Sequence, residues 1–311
     1  MTYTPFINII LTLICALLAM AFFTLLERKF LGYAQIRKGP NKVSISGIPQ
    51  PLADALKLLS KELIKPSMSN LPPFLISPLS ALFLALLMWA LYPSDFPTHF
   101  FSYGLLFILA ISSLNVYTSL IAGWASNSKY ALMGALRNMA QTISYEISLA
   151  LILLTTLLLI LTFDLTLLNS SLFSWPLLII PPSFLTWLAS TLAETNRSPF
   201  DLAEGESELV SGFNTEYSGG AFTLIFMAEY TNIIFMSLLT ALLFFGCLPW
   251  SIINSSWLMI KTLTIATIIL WIRASVPRMR YDRLMSLTWK MFLPYSLGAL
   301  TAIAAWYPLY L

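Results

Sequence analysis

Charged side chains are scarce in this chain of 311 residues. Only 10% of the residues are charged and 58% are hydrophobic, whereas a soluble domain is usually about 25% charged and about 45–50% apolar. So few charges cannot cover a surface that faces water on all sides. The composition therefore excludes an ordinary soluble domain and predicts an integral membrane protein.

Cysteine and histidine are almost absent, which limits the cofactors that the chain itself can hold. Cys15 and Cys247 both lie in apolar runs, and the single histidine, His99, lies in a short polar break. No CxxC, GxGxxG or Walker motif occurs. We expect no disulfide framework, no metal site, and no iron–sulfur, nicotinamide or nucleotide site in this chain.

Apolar stretches of about 20 residues dominate what is present. A stretch of this length crosses the hydrocarbon core of a bilayer as an α-helix. Eight spans are predicted, at residues 5–26, 72–92, 104–124, 138–160, 174–192, 220–245, 256–273 and 287–308. They predict an all-α integral membrane protein that forms a single polytopic domain over residues 1–311. Because cations follow the first stretch instead of preceding it, we expect a retained helix and no cleaved signal peptide.

Lysine and arginine alternate between the loops that join these stretches. All except Lys261 lie in the first, third, fifth and seventh connections or within one helical turn of them. Under the positive-inside rule, the long loops at about 27–71, 193–219 and 273–286 face the inside compartment, and both termini face outside. The net charge of +3 therefore reflects membrane loops and does not indicate nucleic-acid binding.

The first long loop contains a short amphipathic segment, PLADALKLLSKELI, at residues 51–64. Its apolar residues repeat with helical spacing: Leu52, Ala55, Leu56, Leu59 and Leu63. This pattern predicts a helix that lies at the membrane interface, or alternatively one that packs on a neighbouring soluble subunit.

Three ionisable residues interrupt the apolar stretches: Glu146, Glu229 and Lys261. Such a residue costs roughly 2.5–3.5 kcal/mol at a helix centre in insertion measurements and normally marks an ion or proton path. Given 100° per residue, Glu146 shares half of its helix with other polar residues, namely Asn138, Gln141, Thr142, Tyr145 and Ser148. This polar half-face predicts a hydrated path, or alternatively hydrogen bonds that only hold the helices together.

Six of the 14 acids lie within residues 194–217: Glu194, Asp201, Glu204, Glu206, Glu208 and Glu216. Apolar residues are interleaved with them, and the segment begins and ends at the membrane. Closely spaced carboxylates in a partly desolvated place cannot all stay ionised, so they share protons as a group. The segment predicts proton handling, with a solvated acidic loop as the alternative. Arg278 and Arg280, in a basic loop on the same side, can pair with these acids.

Four segments together point to a family. They are ERKFLGYAQIRKGPNKV at 27–43, QPLADALKLLSKE at 50–62, ETNRSPFDLAEGESELVSGFNTEYSGG at 194–220 and RASVPRMRYDRL at 273–284. In this order they resemble the chain 1 family of NADH–ubiquinone oxidoreductase, the quinone-chamber membrane subunits of respiratory complex I. The low charge and the missing targeting sequence resemble the mitochondrially encoded form, which implies a multi-pass protein of the mitochondrial inner membrane.

The resemblance implies a subunit without a redox centre or catalytic residue, which is inactive alone. Electrons would come from NADH through flavin and iron–sulfur clusters in partner subunits, and this chain would form the entrance and lower chamber for ubiquinone. The first, amphipathic and sixth helices would surround the entrance. The implied quinone-binding residues are Glu27 and Arg28 after the first helix, with Arg37, Asp54, Arg197, Phe200, Phe226, Arg278, Arg280 and Asp282.

The resemblance also implies that buried carboxylates couple quinone reduction to proton pumping. These are Glu146, Glu194, Asp201, Glu204, Glu206, Glu208, Glu216 and Glu229. The implied partners are the peripheral quinone-site subunits, the antiporter-like membrane subunits, the lipid bilayer and ubiquinone. Alternatives are an ion-coupled secondary transporter, the related subunit of a membrane-bound hydrogenase, and a structural anchor for the peripheral arm.

Overall fold

The computed structural model describes residues 4–94, 101–171, 175–203, 205, 210–246 and 254–306. Every regular element in these ranges is helical, which confirms the predicted all-α fold. The α-helices are α1 (Thr4–Ala34), α2 (Gln50–Ser60), α3 (Leu71–Trp89), α4 (Gly104–Ala125), α5 (Lys129–Ile160), α6 (Leu165–Ser171), α7 (Pro176–Ile179), α8 (Pro181–Glu194), α9 (Gly219–Phe244), α10 (Asn254–Ser275), α11 (Tyr281–Leu287) and α12 (Leu293–Trp306). A 3₁₀ turn (Gly212–Asn214) and a π-helical segment (Thr288–Phe292) complete the described elements.

Six of the described helices are long and apolar enough to cross a membrane: α1, α3, α4, α5, α9 and α10. The predicted span at 174–192 is instead divided into α7 and α8. The division falls at Ile180, which precedes two prolines and has φ −132° and ψ 69°. A residue before proline is disfavoured in the helical region, and proline donates no backbone hydrogen bond. The sequence therefore predicts helical residues here but not their break, and neither α7 nor α8 is among the six described helices long enough to cross a membrane.

The predicted span at 287–308 begins earlier, at Tyr281, and contains the π-helical segment. In that segment the N–H of Leu293 donates to the carbonyl of Thr288, five residues back. Pro294 follows directly and has no N–H to offer the carbonyl of Lys290, so the helix widens by one residue at this point. Arg283, predicted in a loop, consequently lies in α11.

Two further helix ends differ from the prediction. Helix α1 continues to Ala34, so Glu27 and Arg28 lie within it and not after it. Helix α5 begins at Lys129 instead of residue 138 and has 32 residues, about 48 Å at 1.5 Å per residue, against a hydrocarbon core of about 30 Å. Hydropathy detects only the part of a helix in lipid, which is why the charged turns were missed.

Helices α5 and α9 organise the packing. Helix α5 contacts α4, α8 and α12, while α9 contacts α1, α2, α3 and α10. Large side chains such as Tyr145, Trp187 and Phe235 are fully buried in the core that these contacts form. Leucine and isoleucine residues on α1, including Ile7, remain exposed, as is expected of a helix that faces lipid tails.

The amphipathic segment forms α2, which contacts α1 and α9 but buries none of its residues. Leu52, Leu56 and Leu59 are all exposed. Gly47 shapes the approach to this helix: its φ is +77°, and an added Cβ would lie 2.3 Å from the carbonyl oxygen of Pro40. No other residue adopts this turn without strain. The apolar face of α2 is therefore available to lipid or to another subunit.

Candidate functional site

A buried cluster joins four elements around Glu27, which is only 3% exposed. Its Oε1 atom accepts hydrogen bonds from Nη1 of Arg197, at 2.9 Å, and from Nη1 of Arg273. Arg197 also lies over the ring of Tyr230, with Cζ 4.4 Å from the ring centroid. Helices α1, α9 and α10 and the loop after α8 therefore meet at one carboxylate.

Arg197 stays a cation in this cluster. Burial by itself lowers the pKa of a guanidinium, but the charge of Glu27, the hydrogen bond with Tyr230 and the charge of Glu229 outweigh it, and the pKa of Arg197 lies above its usual value. Two guanidinium groups thus share one buried carboxylate oxygen. This arrangement suits the recognition of a polar or anionic group on a ligand that is otherwise apolar.

A second ion pair ties α2 to α1. Nη1 of Arg28 lies 2.6 Å from Oδ2 of Asp54, whose other oxygen accepts a hydrogen bond of 2.8 Å from Gln50. Lys29 donates to the carbonyl of Ser46 at 2.6 Å. These bonds hold the amphipathic helix and the loop before it against the end of α1, beside the buried cluster.

A third ion pair joins the acidic and basic loops. Nη2 of Arg278 lies 2.8 Å from Oδ2 of Asp201, which confirms the predicted pairing for this arginine. The N–H of Met279 donates to the carbonyl of Pro199 at 3.0 Å. Among the described residues Arg280 pairs with its neighbour Asp282 at 3.2 Å, and both side chains are mostly exposed. Two residues on one short segment meet more easily than residues on separate loops.

Gln141 of α5 anchors the acidic loop. Its Nε2 atom donates to the carbonyl oxygens of Ala193, at 3.0 Å, and Phe200, at 2.7 Å. The ring of Phe200 lies against that of Tyr145, with centroids 5.6 Å apart. The polar half-face of α5 therefore includes hydrogen bonds between elements, as one of its two interpretations predicts.

An open groove of about 470 Å³ lies between the end of α2 and the start of α9. Leu58, Ile64 and Phe222 contribute much of its apolar lining. Phe222 contacts Phe226, with centroids 4.3 Å apart, and Phe226 is 6.4 Å from the ring of Tyr230. An aromatic row on α9 thus leads from the groove to Arg197.

A separate cavity of about 60 Å³ lies inside the helix bundle, between α3, α4, α5, α8 and α9. Glu194 and Glu229 both line it, together with the amides Asn115, Asn138, Asn196 and Asn232. Glu146 is close by on α5, and its Oε1 accepts a hydrogen bond from Ser112 at 3.2 Å. The predicted hydrated face is thus represented by a polar cavity next to the intramembrane carboxylates.

The remaining predicted residues lie outside these contacts. Arg37 is exposed and donates to Gln35 at 2.9 Å, and Glu216 is half-buried beside Tyr217. Lys261 donates to the carbonyls of Phe245, at 3.2 Å, and Gly246, beyond the last turn of α9. Glu204, Glu206, Glu208, His99 and Cys247 lie outside the described residues.

Sequence reasoning missed several residues of the site. Arg273 was counted only as a loop cation, although it shares Glu27 with Arg197. The ring of Tyr230 stacks with the guanidinium of Arg197. Asn115 and Asn232 line the cavity. Polar amides within apolar helices were the available signal for the last two, because such groups need partners inside the membrane.

The helices and buried charges define a polytopic helical membrane protein in which an arginine–carboxylate cluster joins helix ends near a polar cavity. The sequence model of the family described as NADH dehydrogenase matches residues 7–304. The chain belongs to this family.

Its relatives carry the name NADH-ubiquinone oxidoreductase chain 1. The protein from Pongo pygmaeus is 56% identical over 301 residues, which cover 95% of this chain and 94% of the relative. That from Paracentrotus lividus is 54% identical, with coverage of 93% and 91%. That from Anopheles gambiae is 52% identical, with coverage of 95% and 93%. The resemblance found in the four sequence segments is therefore confirmed over almost the whole chain.

Proposed function

We propose that this chain is the membrane subunit of a proton-pumping NADH:ubiquinone oxidoreductase that forms the ubiquinone entrance and lower chamber. One observation carries the proposal: Glu229 lines the internal cavity and also interacts electrostatically with Arg197 of the buried cluster. A change of charge near the cluster therefore changes the electrostatic potential at a carboxylate of the cavity. That is the physical link that coupling between quinone chemistry and proton movement requires.

Ubiquinone enters through the groove between α2 and α9. Its long apolar tail suits the lining that Leu58, Ile64 and Phe222 provide, and the row from Phe222 to Tyr230 continues inward. The polar headgroup meets the arginines of the cluster. Of the predicted quinone contacts, Glu27, Arg28, Asp54, Arg197 and Phe226 lie on or beside this route.

Proton transfer runs through the intramembrane carboxylates. Reduction of ubiquinone to ubiquinol takes up two electrons, delivered by partner subunits, and two protons. Glu146, Glu194 and Glu229 form the part of the route inside the membrane. Glu204, Glu206, Glu208 and Glu216 connect it to the quinone, and coupled carboxylates of this kind pass protons near neutral pH. Asp201 anchors their loop through its ion pair with Arg278.

The surroundings of the chain follow from the same proposal. The flavin and the iron–sulfur clusters belong to partner subunits, and the exposed loops that contain Arg37 and Arg280 meet the peripheral ones. Antiporter-like subunits receive the protons within the membrane. The chain lies in the mitochondrial inner membrane, with its long loops on the inside.

A photoreactive ubiquinone analogue tests the quinone route in native membranes. We expect labelled peptides within residues 27–62 or 194–230, and loss of this labelling when a quinone-site inhibitor competes. Phe226→Ala should weaken it by removing part of the aromatic row. Phe101→Ala is the matched control, because Phe101 stacks with Phe107 at the start of α4, with centroids 5.5 Å apart. Labelling of partner subunits alone would overturn the proposal.

A further inference from the structure

Three buried oxygen atoms in the internal cavity have no hydrogen-bond partner among the described residues. They are Oε2 of Glu194, Oδ1 of Asn138 and Oδ1 of Asn232, and all three residues line the cavity. Leaving one buried acceptor without a partner costs about 1–3 kcal/mol. Three such atoms around one space therefore indicate an occupant that donates hydrogen bonds.

The orientation of Asn138 is set by its neighbours. Its Nδ2 atom donates to Oγ of Ser119 at 2.9 Å. The hydroxyl of Ser119 has a single hydrogen, which it donates to the carbonyl of Val116 at 2.9 Å, so it can only accept from Asn138. The network therefore favours this orientation of the amide, in which its oxygen is the free acceptor at the cavity.

The size of the cavity selects the occupant. At about 30 Å³ for each water, its share of the liquid volume, a cavity of about 60 Å³ holds roughly two molecules. A buried water needs two to four polar partners, and the amides, hydroxyls and carboxylates of the lining provide them. Water also both donates and accepts, so it can satisfy three acceptors and remain connected to other water molecules.

We propose that Asn138 is a positioning residue that holds a chain of water molecules between Glu194 and Glu229. This proposal rests on the proposed function, in which these carboxylates transfer protons. One protonated carboxyl gives its proton to the nearest water, and the last water of the chain gives another proton to the opposite carboxylate. One carboxyl becomes ionised, the other becomes neutral, the waters are regenerated and no electron moves.

The test compares three variants in the assembled complex. Asn138→Leu keeps the approximate volume and removes the acceptor, whereas Asn138→Asp keeps an oxygen at the cavity. Thr155→Val is the matched control, because Thr155 is buried on the same helix, donates to Ile152 at 2.6 Å and does not line the cavity. The measurements are the rate of NADH oxidation by ubiquinone, the protons pumped per electron, and the ratio of rates in H₂O and D₂O.

We expect Asn138→Leu to slow coupled turnover about tenfold, the equivalent of one lost buried hydrogen-bond partner, and to increase the solvent isotope effect. Asn138→Asp should restore most of the rate and add a new pH dependence, because the introduced carboxyl titrates. Thr155→Val should change none of the three quantities. A purely packing role for Asn138 would not produce the isotope effect or the altered pH profile.

The outcomes separate this proposal from the proposed function. Normal turnover and isotope effect in Asn138→Leu, together with impaired turnover in Glu194→Gln, would refute the water chain alone. Normal turnover in Glu194→Gln would refute proton transfer through this carboxylate. If the complex does not assemble with Asn138→Leu, Ser119→Ala is the second variant, because it removes the oxygen that orients the amide of Asn138. We expect a smaller loss of rate and a smaller increase in the isotope effect. An unchanged rate and isotope effect would overturn the proposal. If the rate of turnover depended on Na⁺, a bound cation and not water would be the partner of the three cavity oxygens, and the proposal would be overturned.

Discussion

The carboxylates of this chain differ in whether a guanidinium touches them. Near the inside loops, Glu27 contacts two arginines and Asp201 contacts one. At the internal cavity, Oε2 of Glu194 has no hydrogen-bond partner among the described residues, and Glu146 accepts from a serine hydroxyl. The ion pairs of the first group tie segments of the chain together. The second lies at or beside the internal cavity, through which we propose that protons pass.

This difference shows that a dense run of acids in the sequence does not have one role. Asp201 and Glu194 belong to the same acidic stretch and are only seven positions apart, yet their surroundings differ. A close arginine stabilises the ionised form, whereas a hydrated cavity allows exchange between forms. We therefore expect the arginines to divide the stretch into structural acids, which an arginine contacts, and exchanging acids, which border the cavity.

The largest expected effect is on stability, in Glu27→Gln. This change leaves two arginines without their shared carboxylate, and breaking a buried ion pair on one side typically costs about 3–5 kcal/mol. Thermal unfolding of the purified complex should therefore shift clearly downward. An unchanged unfolding temperature would mean that Glu27 does not stabilise the fold. Contact with an arginine would then not distinguish structural acids from those at the cavity.

Glu194→Gln should show the opposite pattern. The amide cannot take up and release a proton. We therefore expect the rate of coupled quinone reduction to fall about 100-fold, which is the lower end of the effects seen when a general acid or base is lost. Stability should change little, since no arginine loses its partner. The test measures turnover and thermal unfolding on the same preparation. A large loss of stability with normal turnover per assembled complex would place Glu194 among the structural acids.

Asp201→Asn should have an intermediate effect. The ion pair with Arg278 is partly buried, and a hydrogen bond between charged groups contributes about 1.5–3 kcal/mol. Its loss should loosen the contact between the two inside loops. Amide hydrogen exchange at Met279, whose N–H donates to Pro199, should become faster. Unchanged exchange would show that the backbone contact holds without the ion pair.

Asp282→Asn should have the smallest effect. The side chains of Arg280 and Asp282 are 81% and 72% exposed, and exposed ion pairs contribute about 0–1 kcal/mol. This variant is also the control for Glu27→Gln, because both remove one carboxylate next to an arginine. A shift in unfolding temperature as large as that of Glu27→Gln would show that burial does not decide the value of these pairs.

The positions of the spans could be predicted because hydrophobic length is a local property. The break before Pro181 and the widening before Pro294 could not be read from hydropathy, although both prolines are visible in the sequence. The ends of α1 and α5 were missed because charged turns continue a helix beyond the lipid. These differences concern backbone geometry at particular residues and leave the predicted order of the spans unchanged.

The site was predicted less completely than the fold. Its residue types and much of its membership came from motifs, but the partners did not. Glu27 and Arg273 are 246 positions apart in the chain, and their contact depends on how each helix is rotated about its axis. The polar face of α5 illustrates the same limit: Gln141 bonds the acidic loop, whereas Asn138 lines the cavity. Hydrogen bonds between elements confirm one interpretation of that face for Gln141, and the hydrated path stays a prediction.

The π-helical segment at Thr288–Phe292 makes the length of this part of the chain as important as its composition. Deleting one residue there would restore a regular α-helix and turn everything before it by about 100° relative to α12, with a shift of about 1.5 Å. Arg278 and Met279 would then be carried away from Asp201 and Pro199. A single-codon deletion in this short segment would thus separate two loops that lie outside the helix, even if every remaining residue were kept.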